Sequence, residues 1–194
     1  MDKPMPGLGE KLIASDSRKK DSCRQYSRVT NCDFDCFVKD PHTPRLAKAI
    51  YLDEAWSLNQ DDEALALLDS LMAKEKAARP FYFKVVTKSY QKADGYYSEG
   101  LGLAAYEFLR WHTKEFVAYF DDTACHTAQD LADWADMVVL ELSISREGEY
   151  DQPVVEEFLK EANCRNCTPN QKETWNRFGL LLQEKWNAFS TAGK

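Results

Sequence analysis

The chain has 194 residues, 44 % of them hydrophobic and 12 % aromatic, and a formal net charge of −7. That length fits one domain, and the apolar content is enough to bury a core, which argues against global disorder. The acidic balance repels phosphate, so nucleic acid and anionic membrane surfaces are disfavoured as partners, and no apolar run approaches the roughly 18–20 residues of a membrane span.

The charge is uneven. Residues 1–28 hold seven Lys or Arg against four Asp or Glu, a net +3, which leaves −10 on the remainder. A basic segment this short and mixed on an acidic body reads as a solvated arm, or as one that lies back on the body. Residues 1–9 hold two Pro and two Gly and read as a lead-in. Met1 to Glu10 contain no apolar segment of the signal-peptide kind. Two compartments are therefore open: a cytoplasmic chain, or an extracytoplasmic one, periplasmic or secreted, in which Met1 stands for a removed signal. A short helix is expected over 9–20. Residues 21–43 hold three of the six cysteines and few aliphatics, with Pro41 and Pro44 at the end. The expected organisation is thus an irregular, cysteine-containing segment over 1–43 and an all-α domain over 44–194, a single domain overall.

From Arg45 onward the apolar residues recur with helical period. Leu46, Ala49, Ile50 and Trp56 share one face, and Asp53 falls on that apolar side, where a paired carboxylate is expected. Asn59 to Asp62 form a polar break whose acids suit a helix start. Leu65, Leu68 and Met72 make a second stripe. Pro80 fits the first position of a third helix, and Gly95 fits its stop. Phe81 to Val86 is rich in aromatic and β-branched residues, so a strand is the rival reading there. The longest helix is expected over Ser98–Phe120, with Leu101, Ala105, Phe108, Phe116 and Tyr119 on one face. Thr127 and Asp130 resemble a capping box before Leu131, Trp134, Val138 and Leu142. Gly148 and Pro153 bracket a turn, and Val154, Val155, Phe158, Leu159 and Ala162 make a short amphipathic helix. Thr168, Pro169 and Gln171 give the clearest helix start in the chain, ahead of Trp175, Phe178, Leu182, Trp186 and Phe189. The fold class is all-α: a compact bundle or an irregular stack of antiparallel helical hairpins, with about six to eight helices. No repeat of fixed period is present.

Cys23, Cys32, Cys36, Cys125, Cys164 and Cys167 are the sharpest feature. Four form two close pairs, Cys32-x3-Cys36 and Cys164-x2-Cys167. Two such pairs suit one tetrahedral zinc in a reducing compartment, with His42 as a substitute ligand. In an oxidising one the six form up to three disulfides. All six fall in expected loops or at element ends, whereas a structural thiol is usually buried like a small hydrophobe. Disulfides are therefore preferred, either local (Cys23 with Cys32 or Cys36) or between loops (Cys125 with Cys164 or Cys167). Cys164-Arg-Asn-Cys167 precedes a helix start, as redox pairs do, but no βαβ pattern surrounds it.

His42, His112 and His126 are the only histidines. His112 lies on the Leu101 stripe, as a core or core-edge residue. His126 neighbours Cys125, Asp121 and Asp122, which makes a weak metal site conceivable there; solvated acids are the commoner meaning. There is no Glu-x-x-His pair, no phosphate loop after Gly100-Leu101-Gly102, and no Gly-x-Ser-x-Gly.

Phe81, Tyr82, Tyr96 and Tyr97 are aromatic clusters near helix starts. Such residues anchor interfaces, and they also fill cores. The functional expectation is a non-enzymatic protein-binding module, an extracytoplasmic inhibitor, immunity protein or adaptor, with no cofactor or metal. Its acidic body steers a basic protein partner. The alternatives are a zinc-stapled intracellular scaffold, or an enzyme whose site assembles from scattered acids with His112 or His126.

Overall fold

Phe81 to Val86, the segment most open to a strand reading, is helical because its helix is buried on nearly every side. The structure is a computed structural model that describes residues 34–59, 61–72, 76–121, 124–149 and 152–192. The lead-in, the helix expected over 9–20, Cys23 and Cys32 lie outside the described residues. Eight α-helices are seen among the described residues, 74 % of which are helical, with no strand. They are α1 (Asp35–Lys39), α2 (Arg45–Tyr51), α3 (Asp61–Leu71), α4 (Arg79–Ser89), α5 (Gly95–Tyr119), α6 (Ala128–Ser145), α7 (Val154–Glu161) and α8 (Pro169–Ala192), with a 3₁₀ turn at Tyr90–Lys92. The all-α reading holds.

Helix α4 buries Phe81, Phe83, Val85, Val86, Thr87 and Ser89. A helix covered all round has no polar face to display a 3.6-residue period, which is why its composition mimics a strand. The Phe83 ring stacks on Trp134 of α6, with centroids 4.5 Å apart and planes 11° apart. The buried Trp134 indole N–H donates to Thr87 Oγ1 at 2.9 Å, and the Thr87 hydroxyl donates to the Phe83 carbonyl at 2.7 Å. The indole N–H and the Thr87 hydroxyl are thus both satisfied.

Helices α5 and α6 pack side by side, and α6 packs in turn on α8. Gly102 makes the first contact close: a Cβ there would lie 3.2 Å from the Met137 carbonyl oxygen and 3.3 Å from the Glu141 nitrogen. The expected capping boxes form at both later helices. Thr127 and Asp130 exchange backbone and side-chain bonds at α6, and Thr168 and Gln171 do so at α8. A second buried cluster holds Phe34, Phe37, Ala47, Ile50, Leu67, Phe81 and Val85. Phe37 stacks on Phe81 at 5.0 Å. The end of the segment expected to be irregular therefore contributes a helical turn and two core aromatics.

Two expected helix ends are corrected. Helix α2 stops at Tyr51, short of Trp56. Asp53 takes a left-handed conformation (φ 56°), with Asp53 N–H donating to the Ile50 carbonyl and Glu54 N–H to that of Ala49. This is a Schellman cap with Asp in the place where glycine is usual. Asp53 is consequently exposed rather than on a buried face, and it pairs with Lys88 at 2.7 Å. Gly95 does not stop α4. Ala93 and Asp94 are extended, and Gly95, at φ 37°, opens α5.

Candidate functional site

Helix α5 carries one face toward solvent as well as one toward the core. Tyr96, Leu103 and Trp111 stand at offsets 0, 7 and 15, and at about 100° per residue they share a face. All three are exposed, Tyr96 by 61 % and Trp111 by 67 %. Trp111 is nonetheless held in place. Its indole N–H donates to Glu107 Oε2 at 2.6 Å, and the Arg110 guanidinium lies 5.7 Å from its ring and 5.4 Å from that of Tyr106. Arg110 in turn pairs with Glu107 at 3.2 Å and with Glu161 of α7 at 3.3 Å.

Tyr106 is the hub of this face. Its ring packs on Phe158 of α7 at 5.0 Å. Its hydroxyl is pushed up from the ordinary tyrosine value by burial; Arg110 opposes the rise, while Glu161, Glu107 and Glu141 add to it. Three carboxylates and one guanidinium thus surround one half-buried phenol. The Glu141 carboxyl is itself raised, first by burial and then by the charge of Glu107. Among the described residues no cation is ion-paired with it.

A second cluster lies where α5 bends. His112 has non-helical backbone angles (φ −130°, ψ 28°) inside the helix. Its Nδ1 is 3.3 Å from Arg79 Nη1, and Arg79, almost wholly buried, forks both Glu115 oxygens at 2.6 Å. The Tyr119 hydroxyl donates to Glu115 at 3.4 Å. His112 is held below the usual histidine range by burial, then by Arg79, with Glu115 opposing and Lys76 adding. Its Nδ1 therefore acts as an acceptor for Arg79, and its ring rests on Phe108 at 5.2 Å. His126 is buried among Phe83 and Phe120, with the Asp130 carboxylate 3.8 Å from its Nδ1. A groove of about 470 Å³ runs past Tyr90, Ser98, Leu101, Asp136 and Leu140, and the Lys185–Asp136 ion pair, at 2.7 Å, bears on it.

No known protein family matches this chain, and no curated protein or solved structure resembles it significantly.

The aromatic residues singled out from sequence divide cleanly. Phe81 and Tyr97 are core, Tyr82 is half-buried against Phe81, and Tyr96 is exposed. Tyr97 is tied by a 2.7 Å hydrogen bond to Ser89, and burial pushes its hydroxyl up to about 12. Tyr106, Trp111, Glu107 and Glu141 were not indicated by composition. The available signal was that Trp111 falls off the Leu101 stripe while Glu107 precedes it by one turn, the spacing at which helix side chains meet.

Cys164 and Cys167 bridge each other, with Cα atoms 5.3 Å apart. This removes the expected Cys125 bridge to either of them, and it takes away two of the four thiolates of the zinc reading. Cys125 is buried and disulfide-bonded. Cys36 sits half-buried on α1. No helix among the described residues is long and apolar enough to cross a membrane.

Proposed function

We propose that this protein is a binding module whose acidic helical body takes a basic protein partner, as an inhibitor, immunity protein or adaptor outside the cytoplasm. The observation that carries the reading is Trp111: a large aromatic side chain in solvent, engaged by a hydrogen bond to Glu107 and by the Arg110 guanidinium near its ring. An aromatic residue already ordered before binding loses little conformational freedom on binding, and Trp and Tyr dominate binding hot spots. The net charge of −7 adds a field that speeds encounter with a basic partner. The Cys164–Cys167 bridge supports an oxidising compartment.

The histidines lend the enzyme reading little. His126 is enclosed by aromatic rings, and His112 commits Nδ1 to Arg79, so neither faces open solvent with a basic nitrogen to spare. The test is affinity capture from the source organism followed by stopped-flow mixing with the captured protein. The expected outcome is a partner of basic pI whose association slows as salt rises while its dissociation changes little. A partner with no net positive charge and salt-independent association would overturn the charge-steered reading.

A further inference from the structure

The exposed stripe of α5 belongs to a larger face, formed by Leu103, Tyr106, Glu107 and Trp111 of α5, Glu141 of α6 and Glu161 of α7. We propose that this face docks a basic, partly apolar segment of another protein. The segment rests an apolar side chain against Trp111 and Leu103 and sets an arginine or lysine beside Glu141 and Glu107. The proposal rests on the protein-binding reading above and adds the face and the kind of segment it accepts.

Leu103 and Trp111 are separated by eight residues, about 12 Å of helix rise, on one side of α5. Both are exposed large hydrophobics, Leu103 by 51 % and Trp111 by 67 %. The Glu107 hydrogen bond and the nearby Arg110 guanidinium favour the outward placement of Trp111, which suits a hot-spot anchor.

The charge half decides the occupant. Arg110 is engaged by Glu107 and Glu161. Glu141 is half-buried where α6 meets Gly102 of α5, its carboxyl feels the Glu107 charge, and no cation is ion-paired with it among the described residues. A like-charged neighbour and partial burial both disfavour the carboxylate, and an incoming cation relieves both. A guanidinium is also attracted to the faces of Tyr and Trp rings, and Arg110 already lies 5.4 Å and 5.7 Å from the Tyr106 and Trp111 rings. A second copy of this chain is a poor occupant, because a two-fold interface would bring two copies of the same acidic patch together. Nucleic acid and anionic lipid are repelled by the same charges.

The test selects displayed random peptides on the full-length protein and then measures each selected peptide against four proteins: wild type, Trp111→Ala, Glu141→Lys, and Leu180→Ala on α8. Leu180 is 74 % exposed and serves as the control position. Circular dichroism checks that each variant is folded. The expected result is a set of peptides combining Arg or Lys with an apolar residue. Their affinity should fall by about tenfold or more in Trp111→Ala and Glu141→Lys and stay unchanged in Leu180→Ala. Basic peptides that bind all four proteins equally would overturn the face and leave the protein-binding reading intact. Selected peptides that are acidic or uncharged would overturn the occupant. A selection that yields no binder would overturn both readings. Self-association in sedimentation, abolished by Trp111→Ala, would assign the face to a second copy and overturn the proposal.

Discussion

Thr87 sits where a single hydroxyl serves two masters, accepting from the Trp134 indole and donating to the Phe83 carbonyl. Thr87→Val keeps the shape and removes the hydroxyl, so the buried indole N–H loses its acceptor. The expected loss is about 1–3 kcal/mol in a denaturant titration; an unchanged midpoint would show that the indole finds another acceptor. His112 makes a pH prediction. Its folded pKa is below the ordinary 6.5, because burial and Arg79 disfavour the imidazolium. The unfolded chain therefore takes up this proton first, and stability falls as pH drops from 6.5 toward the lowered folded value. His112→Gln cannot titrate, so its melting temperature should fall less than that of wild type between pH 7 and pH 5. Equal falls would show that His112 carries no such linkage. At this scale the sequence was half legible. Placing His112 on the Leu101 stripe led to its seat on Phe108. The Arg79 and Glu115 contacts join α4 to α5 across more than thirty residues, and no local spacing encodes them.

Among the elements, the close approach of α5 and α6 depends on Gly102. Helix propensity alone favours Gly102→Ala by about 1 kcal/mol. The new methyl would meet α6 backbone atoms at 3.2 and 3.3 Å, which give way only if the whole helix shifts. Overpacking of that kind costs about 1–3 kcal/mol, so net destabilisation is expected in thermal melts; a more stable variant would show that α6 can move aside freely. The Cys164–Cys167 bridge closes a loop of sequence separation 3 just before α8. Replacing both cysteines by serine should cost about 2 kcal/mol, the low end expected for so short a loop. No measurable loss would mean that the Thr168–Gln171 box and the α8 packing hold this turn alone. Helix starts with a side-chain signature were readable in advance, as at Thr127 and Thr168. Ends were not. The α2 cap uses Asp53 where glycine is the usual mark, and α4 hides its period because it is buried all round.

For the molecule as a whole, the all-α architecture follows from amphipathic periodicity summed over many turns, and it needed no single decisive residue. The proposed docking face does not follow in the same way. Tyr106, Glu141 and Glu161 come from three helices and meet only once α5, α6 and α7 are packed, so a linear reading found the acidity but not its position. That packing turns a net charge into a local one, beside an aromatic side chain fixed in solvent. The account stands or falls on whether another protein sits there. The direct measurement replaces Trp111 by the photocrosslinker p-benzoylphenylalanine in the source organism, with Leu180 replaced in a parallel strain, and identifies the adducts by mass spectrometry after illumination. The account predicts a covalent adduct with one basic protein at position 111, joined through a peptide that carries Arg or Lys, and no such adduct at position 180. The same adducts at both positions, or none at position 111, would contradict it.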